Sequence, residues 1–249
     1  MVTVHFAARG RCDILLWYCP PGWGEKRLLL PTFTLLIVTV LFFAYVFAVR
    51  PWHTAWGATH LDGVVRLPGD DLSPRAYRTI THAVNIDAPP EAVWPWIAQI
   101  GQDRSGFYSY RFLENLVGCK MPKVHRIVPE WRSRAAGETV WFASPDRYRG
   151  RARMVATIVE PCRSLTLATP QDWKRFQSGD EGQQTTWTFA LIPKSGGRTR
   201  LLARVRSVAY PSFGTRLLNY IFWEPAHFFM ERKMLLTIEG LAEEQAKQR

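Results

Sequence analysis

The sequence predicts an α+β fold: one strand, two short helices, a run of antiparallel strands and a long closing helix, preceded by a single transmembrane helix. Three observations carry this expectation. Residues 28–49 contain no charged side chain; period-two alternation recurs in separate runs between residues 77 and 208; and residues 215–247 return to helical spacing with a broad apolar stripe.

The chain has 249 residues, which suits one globular domain with an appendage, and 47% hydrophobic residues with 11 Trp leave much aromatic surface to bury. A net charge of +11 favours an anionic partner. The bases are scattered, without zinc-finger spacing, a homeodomain-like helix or an RNP-type strand, so a membrane surface is preferred to nucleic acid. Cys12, Cys19, Cys119 and Cys162 make neither a CxxC nor a Cys/His zinc pattern. Idle thiols are expected, with a Cys119–Cys162 bridge left open.

Residues 1–27 hold Arg9, Arg11, Lys26 and Arg27 and receive no stable fold. Leu28 and Val49 bound the uncharged run, whose rise of ~1.5 Å per residue crosses the ~30 Å core of a bilayer. Pro31 sits in its first turn, and Arg50, Trp52 and Trp56 follow as interfacial anchors. The excess of basic residues before the run places the N-terminus in the cytoplasm and the main domain outside it. Residues 50–75, rich in Gly, Pro and Asp, read as a linker, and residues 76–249 as the folded domain.

In the first strand, Ile80, His82, Val84 and Ile86 share the inward face. His82 is its odd member, read first as a satisfied core residue and second as a base. Pro89 and Pro90 suit a helix start, Glu91 suits its positive end, and Val93, Trp96, Ile97 and Ile100 fall on one face. Gly101 ends that helix, residues 102–106 form a polar loop, and residues 108–117 form a second short helix stopped by Gly118. Strands follow at 139–142, 151–159, 164–169, 185–192 and 199–208. In the last, Leu201, Ala203 and Val205 oppose Arg200, Arg204 and Arg206, so the sheet is expected to have one wet, basic face.

The run Ala88-Pro89-Pro90-Glu91-Ala92-Val93-Trp94 after the first strand resembles the START-like, or SRPBCC, superfamily and its polyketide cyclase/dehydrase-like members. Trp94-Pro95-Trp96, Gln99-Ile100-Gly101-Gln102, Gly106-Phe107-Tyr108-Ser109-Tyr110, Leu113-Glu114-Asn115 and Pro129-Glu130-Trp131 are similar to a bacterial, membrane-anchored subgroup of it. The resemblance implies a helix-grip fold, a curved antiparallel sheet around the long helix with a cavity between them. It spans lipid carriers, hormone receptors, aromatic cyclases and oxygenase subunits, so it implies a hydrophobic ligand without selecting a chemistry.

The expected cavity wall is Trp141, Trp187, Phe189 and Leu191 from strands and Phe222, Phe229 and Leu236 from the helix, with Tyr108 and Tyr110 at its mouth. Core filling is the competing reading of each. For acid–base chemistry the candidates are Glu224, His227 and Glu231 on one helix, with His82. The helix lacks HExxH and a third ligand, so no metal is expected. Gln102, Arg104, Glu114 and Asn115 are read as structural, with an Arg104–Glu114 pair locking the polar loop. There is no GxGxxG, GxxxxGK[ST] or GxSxG run, and no cofactor is expected. The expected function is burial of a hydrophobic small molecule or lipid by a membrane-anchored domain. The alternatives are a cyclase or dehydratase, and a scaffold with a filled core.

Overall fold

The computed structural model describes residues 23–74, 76–179, 185–207 and 212–248. Arg9, Arg11, Cys12, Cys19 and the end of the 199–208 run lie outside them. The chain divides into two units, Met1–Val49 and Arg50–Arg249.

In the first unit, helix α1 (Trp23–Ala44) runs into a wider π turn, Tyr45–Val49. The helical stretch Pro31–Thr54 contains an 18-residue window of mean hydropathy 2.5 and is long and apolar enough to cross a membrane. Its large side chains, such as Phe33, Leu41 and Phe47, are exposed.

The second unit contains α2 (Arg50–Thr54), α3 (His60–Val64), β1 (Arg78–Ile86), α4 (Pro90–Ala98) and α5 (Arg111–Leu116), then β2 (Thr139–Trp141), β3 (Arg153–Glu160) and β4 (Ser164–Ala168). After these come α6 (Pro170–Gln177), β5 (Thr185–Lys194), β6 (Arg198–Ser207), α7 (Phe213–Leu218), a π turn (Asn219–Trp223) and α8 (Glu224–Lys247). The six strands pair antiparallel in the order β1-β6-β5-β4-β3-β2. The expected single C-terminal helix is thus interrupted. Pro225 has no N–H to donate, and it falls in the first turn of α8 just past the π turn, where none is required.

The inner face of the sheet and α8 enclose the main core, an α+β helix-grip arrangement. Leu165, Leu167, Phe189 and Leu201 from the sheet are fully buried with Met234, Leu235 and Ile238 from α8 and Ile97 from α4. Each such side chain contributes roughly 1.5–3 kcal/mol through burial. Helix α4 closes one end, with Trp96 Nε1 donating to Gln245 Oε1 of α8 at 3.1 Å.

The other face of the sheet corrects the sequence expectation: it is neither wet nor freely basic. Residues 57–73, read as part of a linker, lie across it as a layer. Leu67 packs with Ala83, Ala190 and Leu202, and Arg200 and Arg204 are buried. Arg200 Nη2 donates to Asp62 Oδ2 and to the Gly57 carbonyl, each at 2.6 Å. Arg204 donates to Asp70, to the Val65 and Asp62 carbonyls and to Thr81 Oγ1. Arg206 donates to the Ser73 carbonyl at 3.0 Å. The layer comes so close that a Cβ on Gly57, at φ +70°, would lie 2.1 Å from the Ala83 carbonyl oxygen. Burial raises the Asp62 pKa, but the Arg200 and Thr59 hydrogen bonds outweigh it and bring it to about 2. Alternation predicted the arginines' face correctly; their partners come from a segment with no period.

Candidate functional site

Inward-facing His82 on β1 is fully buried where the strand faces α8. His227 and Glu231, four apart on α8, share one helix face. The fold brings the three together, and their ligand-capable atoms lie within 4.8 Å of one another. His82 Nδ1 contacts Glu231 Oε2 directly, while its Nε2 is 2.8 Å from the His53 carbonyl. Trp187 Nε1 donates to Glu231 Oε1 at 2.6 Å. His227 Nε2 stands 3.3 Å from Glu231 Oε2, within ion-pair reach but outside hydrogen-bond geometry, and this buried nitrogen has no hydrogen-bond partner.

The surroundings are aromatic. Trp56 and Phe228 meet the His82 ring edge-on, and His227 stacks on it with centroids 6.0 Å apart. Phe107, Phe142 and Trp187 form a stacked group, with Phe189 against Trp187. Burial alone would lower the His82 pKa, but the Glu231 carboxylate and the two hydrogen bonds raise it. Burial alone would raise the Glu231 pKa, but the two histidines hold it well below the usual carboxylate range.

Glu224, grouped with these residues in the sequence, belongs elsewhere. It is 1% exposed and is held by Arg50 at 2.8 Å and Arg78 at 3.1 Å. Arg50 also stacks over Tyr220, whose hydroxyl is 3.0 Å from that of Tyr77. This makes Glu224 a joint between α8, β1 and α2.

The expected cavity residues divide by exposure. Trp187, Phe189, Leu191 and Tyr108 are buried in the main core, and Leu236 packs partly buried against it. Trp141 is half-buried, with the Arg153 guanidinium 5.3 Å from its ring centroid. Phe222 and Phe229 are 54% and 59% exposed, and Tyr110 is exposed at the start of α5. These three are corrections: Phe222 lies in the π turn before α8, where Ile221 and Trp223 are exposed as well, and Phe229 follows the buried Phe228 on the outward side. A separate surface cleft of about 260 Å³, lined by Asn85, Lys194, Ser195, Arg198 and Thr199, shares no residue with the His–Glu cluster.

Backbone contacts lock the polar loop. Gln99 Nε2 donates to Tyr108 Oη at 2.8 Å and to the Arg126 carbonyl at 3.0 Å, and the Tyr108 and Ser105 hydroxyls are 2.7 Å apart. Burial pushes the Tyr108 phenol up to about 12 against the Ser105 and Gln99 hydrogen bonds. Gln102 donates to the Lys120 carbonyl, and Asn115 Oδ1 accepts from the Met121 N–H. The expected Arg104–Glu114 pair does not form: Arg104 donates to Glu138 at 2.8 Å and to the Ala98 and Ser133 carbonyls. Cys119 and Cys162 are free thiols, so the bridge left open by the sequence is not formed.

Glu114 is buried without a side-chain partner among the described residues, and burial pushes its carboxyl up to about 7 from 4.5. The native state therefore keeps a proton that the unfolded chain releases, and stability falls as pH rises between about 4.5 and 7. Glu114→Gln is expected to stabilise the protein at pH 8, by up to about 3 kcal/mol, and to flatten this part of the profile. Denaturant melts at pH 5 and pH 8 check it; equal shifts at both would contradict it.

No family model and no curated protein matches the sequence. Among solved structures, the chain is similar to the polyketide cyclase-like protein Cgl2372 of Corynebacterium glutamicum, with 15% identity over 69% of this chain and 94% of that one and a TM-score of 0.33. It is similar to the self-sacrificing resistance protein CalC of Micromonospora echinospora, with 11% identity over 69% and 97% and a TM-score of 0.39. A Thalictrum norcoclaurine synthase gives 13% identity over 68% and 95%, with a TM-score of 0.38. At these values the likenesses assign no residue a role.

Proposed function

We propose that the protein is a membrane-anchored helix-grip protein that holds a hydrophobic small molecule or lipid between its sheet and α8. One observation carries this reading: a His–Glu–His group lies inside an apolar, aromatic interior, and one member, His227, is partly open, with 31% of its side chain exposed. Apolar walls with a few fixed polar groups are what a small-molecule site uses for affinity and orientation. Trp187, Phe107 and Phe142 supply the wall, and the unpartnered His227 Nε2 supplies a polar handle. Binding then rests on burial of the ligand's apolar surface, worth about 25 cal/mol per Å², with no covalent step.

The apolar run from Leu28 to Val49 tethers the domain to the bilayer. Arg9, Arg11, Lys26 and Arg27 precede it, whereas Arg50 and Arg66 on the far side are paired with Glu224 and Asp71. That charge balance favours an extracytoplasmic domain.

Energy transfer from tryptophan to a dansylated fatty acid, titrated into the full chain in detergent, tests the reading. Saturable transfer is expected, weakened about 3- to 10-fold by His227→Ala, as for the loss of one polar contact. Transfer that rises linearly and identically in both proteins would refute it. The contact between His227 and Glu231 favours a second reading, a cyclase or dehydratase in which His227 moves a proton on the bound molecule. Turnover of the bound compound, absent in His227→Ala, would establish that reading.

A further inference from the structure

We propose that His82, His227 and Glu231 form a binding site for one divalent transition-metal ion, taken up through two imidazole nitrogens and one carboxylate oxygen. The site shares its residues with the proposed ligand pocket, but the argument for it does not depend on an organic ligand.

The hydrogen-bond roles come first. The His53 carbonyl can only accept, so His82 Nε2 carries a proton and donates it there, at 2.8 Å. In neutral His82 the other nitrogen, Nδ1, is then a bare lone pair, and it faces the oxygens of a carboxylate. Two acceptors in contact need a positive charge between them: either a second proton on the ring or a cation. His227 adds a third donor to the same point, since its buried Nε2 has no hydrogen-bond partner and lies 3.3 Å from Glu231 Oε2.

The spacing suits an ion. Metal bonds of about 2.0–2.2 Å to nitrogen and oxygen put tetrahedral ligand atoms about 3.3 Å apart. The His227–Glu231 separation already has that value, and an ion would open the His82–Glu231 contact to match it. Two ligands come from one face of α8 and the third from β1 opposite.

The outer contacts also have the form that metal sites use. A ligating histidine commonly donates its other N–H to a backbone carbonyl, which fixes the ring and its tautomer; His82 does this with His53. Trp187 Nε1 holds Glu231 Oε1 at 2.6 Å, which turns Oε2 towards both imidazoles. Two imidazoles and one carboxylate suit zinc, cobalt or ferrous iron, and three protein ligands leave a coordination position for water or a bound molecule. The helix by itself misleads, because its His-x-x-x-Glu spacing lacks a third ligand, which β1 supplies from 149 residues away.

The test uses the full chain in detergent, stripped with EDTA and titrated with Co(II) alone. A visible absorption band of four- or five-coordinate cobalt is expected to saturate at one ion per chain, and zinc should displace it. His227→Ala should weaken binding at least 10-fold, because it removes a ligand from a partly exposed position while the buried His82–Glu231 contact stays intact. His125→Ala, at an exposed histidine, should leave binding unchanged. A spectrum that remains that of octahedral aqueous cobalt, or a titration equally affected by both substitutions, would overturn the proposal. Because no organic ligand takes part, that failure would leave the fatty-acid titration to stand or fall separately.

Discussion

Arg204→Ala is expected to destabilise the domain by about 3–5 kcal/mol, the range for breaking a buried ion pair from one side. Arg204 is 2% exposed, and its guanidinium binds Asp70, two backbone carbonyls and Thr81. Alanine would leave these acceptors buried without their donor, and it would release the layer 57–73 that the arginine ties to β6. For a unit of this size each kcal/mol moves Tm by about 2–4 °C, so a fall of about 10 °C is expected in a thermal melt. Arg198→Ala, at an exposed position on the same strand, should change Tm by no more than about 2 °C. A double change, Arg204→Met with Asp70→Asn, should recover part of the loss, because it removes both charges instead of stranding one. Equal, small effects of Arg204→Ala and Arg198→Ala would mean that the outer layer is held by something other than these pairs.

Glu231→Gln should cost a similar amount, about 3–5 kcal/mol at pH 6, because it removes the negative charge that faces His82 and His227. Its pH dependence has a definite sign. The His82 pKa is raised in the folded state, so the stability it supplies is complete below the unfolded value of 6.5 and is lost as pH rises through the folded value above it. Wild-type stability should therefore decline above pH 6.5, and the glutamine variant should decline less there. Glu114 acts in the window below, between about 4.5 and 7, so the two substitutions separate the contributions. Denaturant midpoints at half-unit pH steps would show this. An unchanged slope above pH 6.5 in Glu231→Gln would contradict the assigned ion pair.

Much of the architecture was legible because its signals are local. Alternation located β1, with His82 inward; Pro90 and Gly118 bracketed the two short helices; and the Ser195-Gly196-Gly197 turn joined β5 to β6 in register from Thr185↔Ser207 to Lys194↔Arg198. Helix α6 was missed although Thr169-Pro170-Gln171-Asp172 carries a start signal: Thr169 Oγ1 caps the Asp172 N–H, and Pro170 takes the first position.

The long-range pairings were not legible. Arg200, Arg204 and Arg206 read as a solvated face because alternation says which side a residue takes and nothing of what covers that side. The complement was present as Asp62 and Asp70 in the turn-rich connector, but no period links them to β6. Glu224 likewise read as an acid–base candidate beside His227 on one helix face, whereas its partners Arg50 and Arg78 lie 174 and 146 residues away. At the candidate site, helical spacing joined His227 to Glu231. His82 entered only as an odd residue on an apolar face, and the contact of β1 with α8 is what gives it meaning.

The central claim is that the interior between sheet and α8 holds a hydrophobic molecule. Native mass spectrometry of the full chain, released from its own membranes in mild detergent, tests this most directly. The account predicts a bound species of one defined mass, at up to one per chain, that survives gas-phase removal of detergent and is depleted in His227→Ala. A spectrum of the bare chain alone, in preparations that retain the native fold, would contradict it and leave the interior as a filled core.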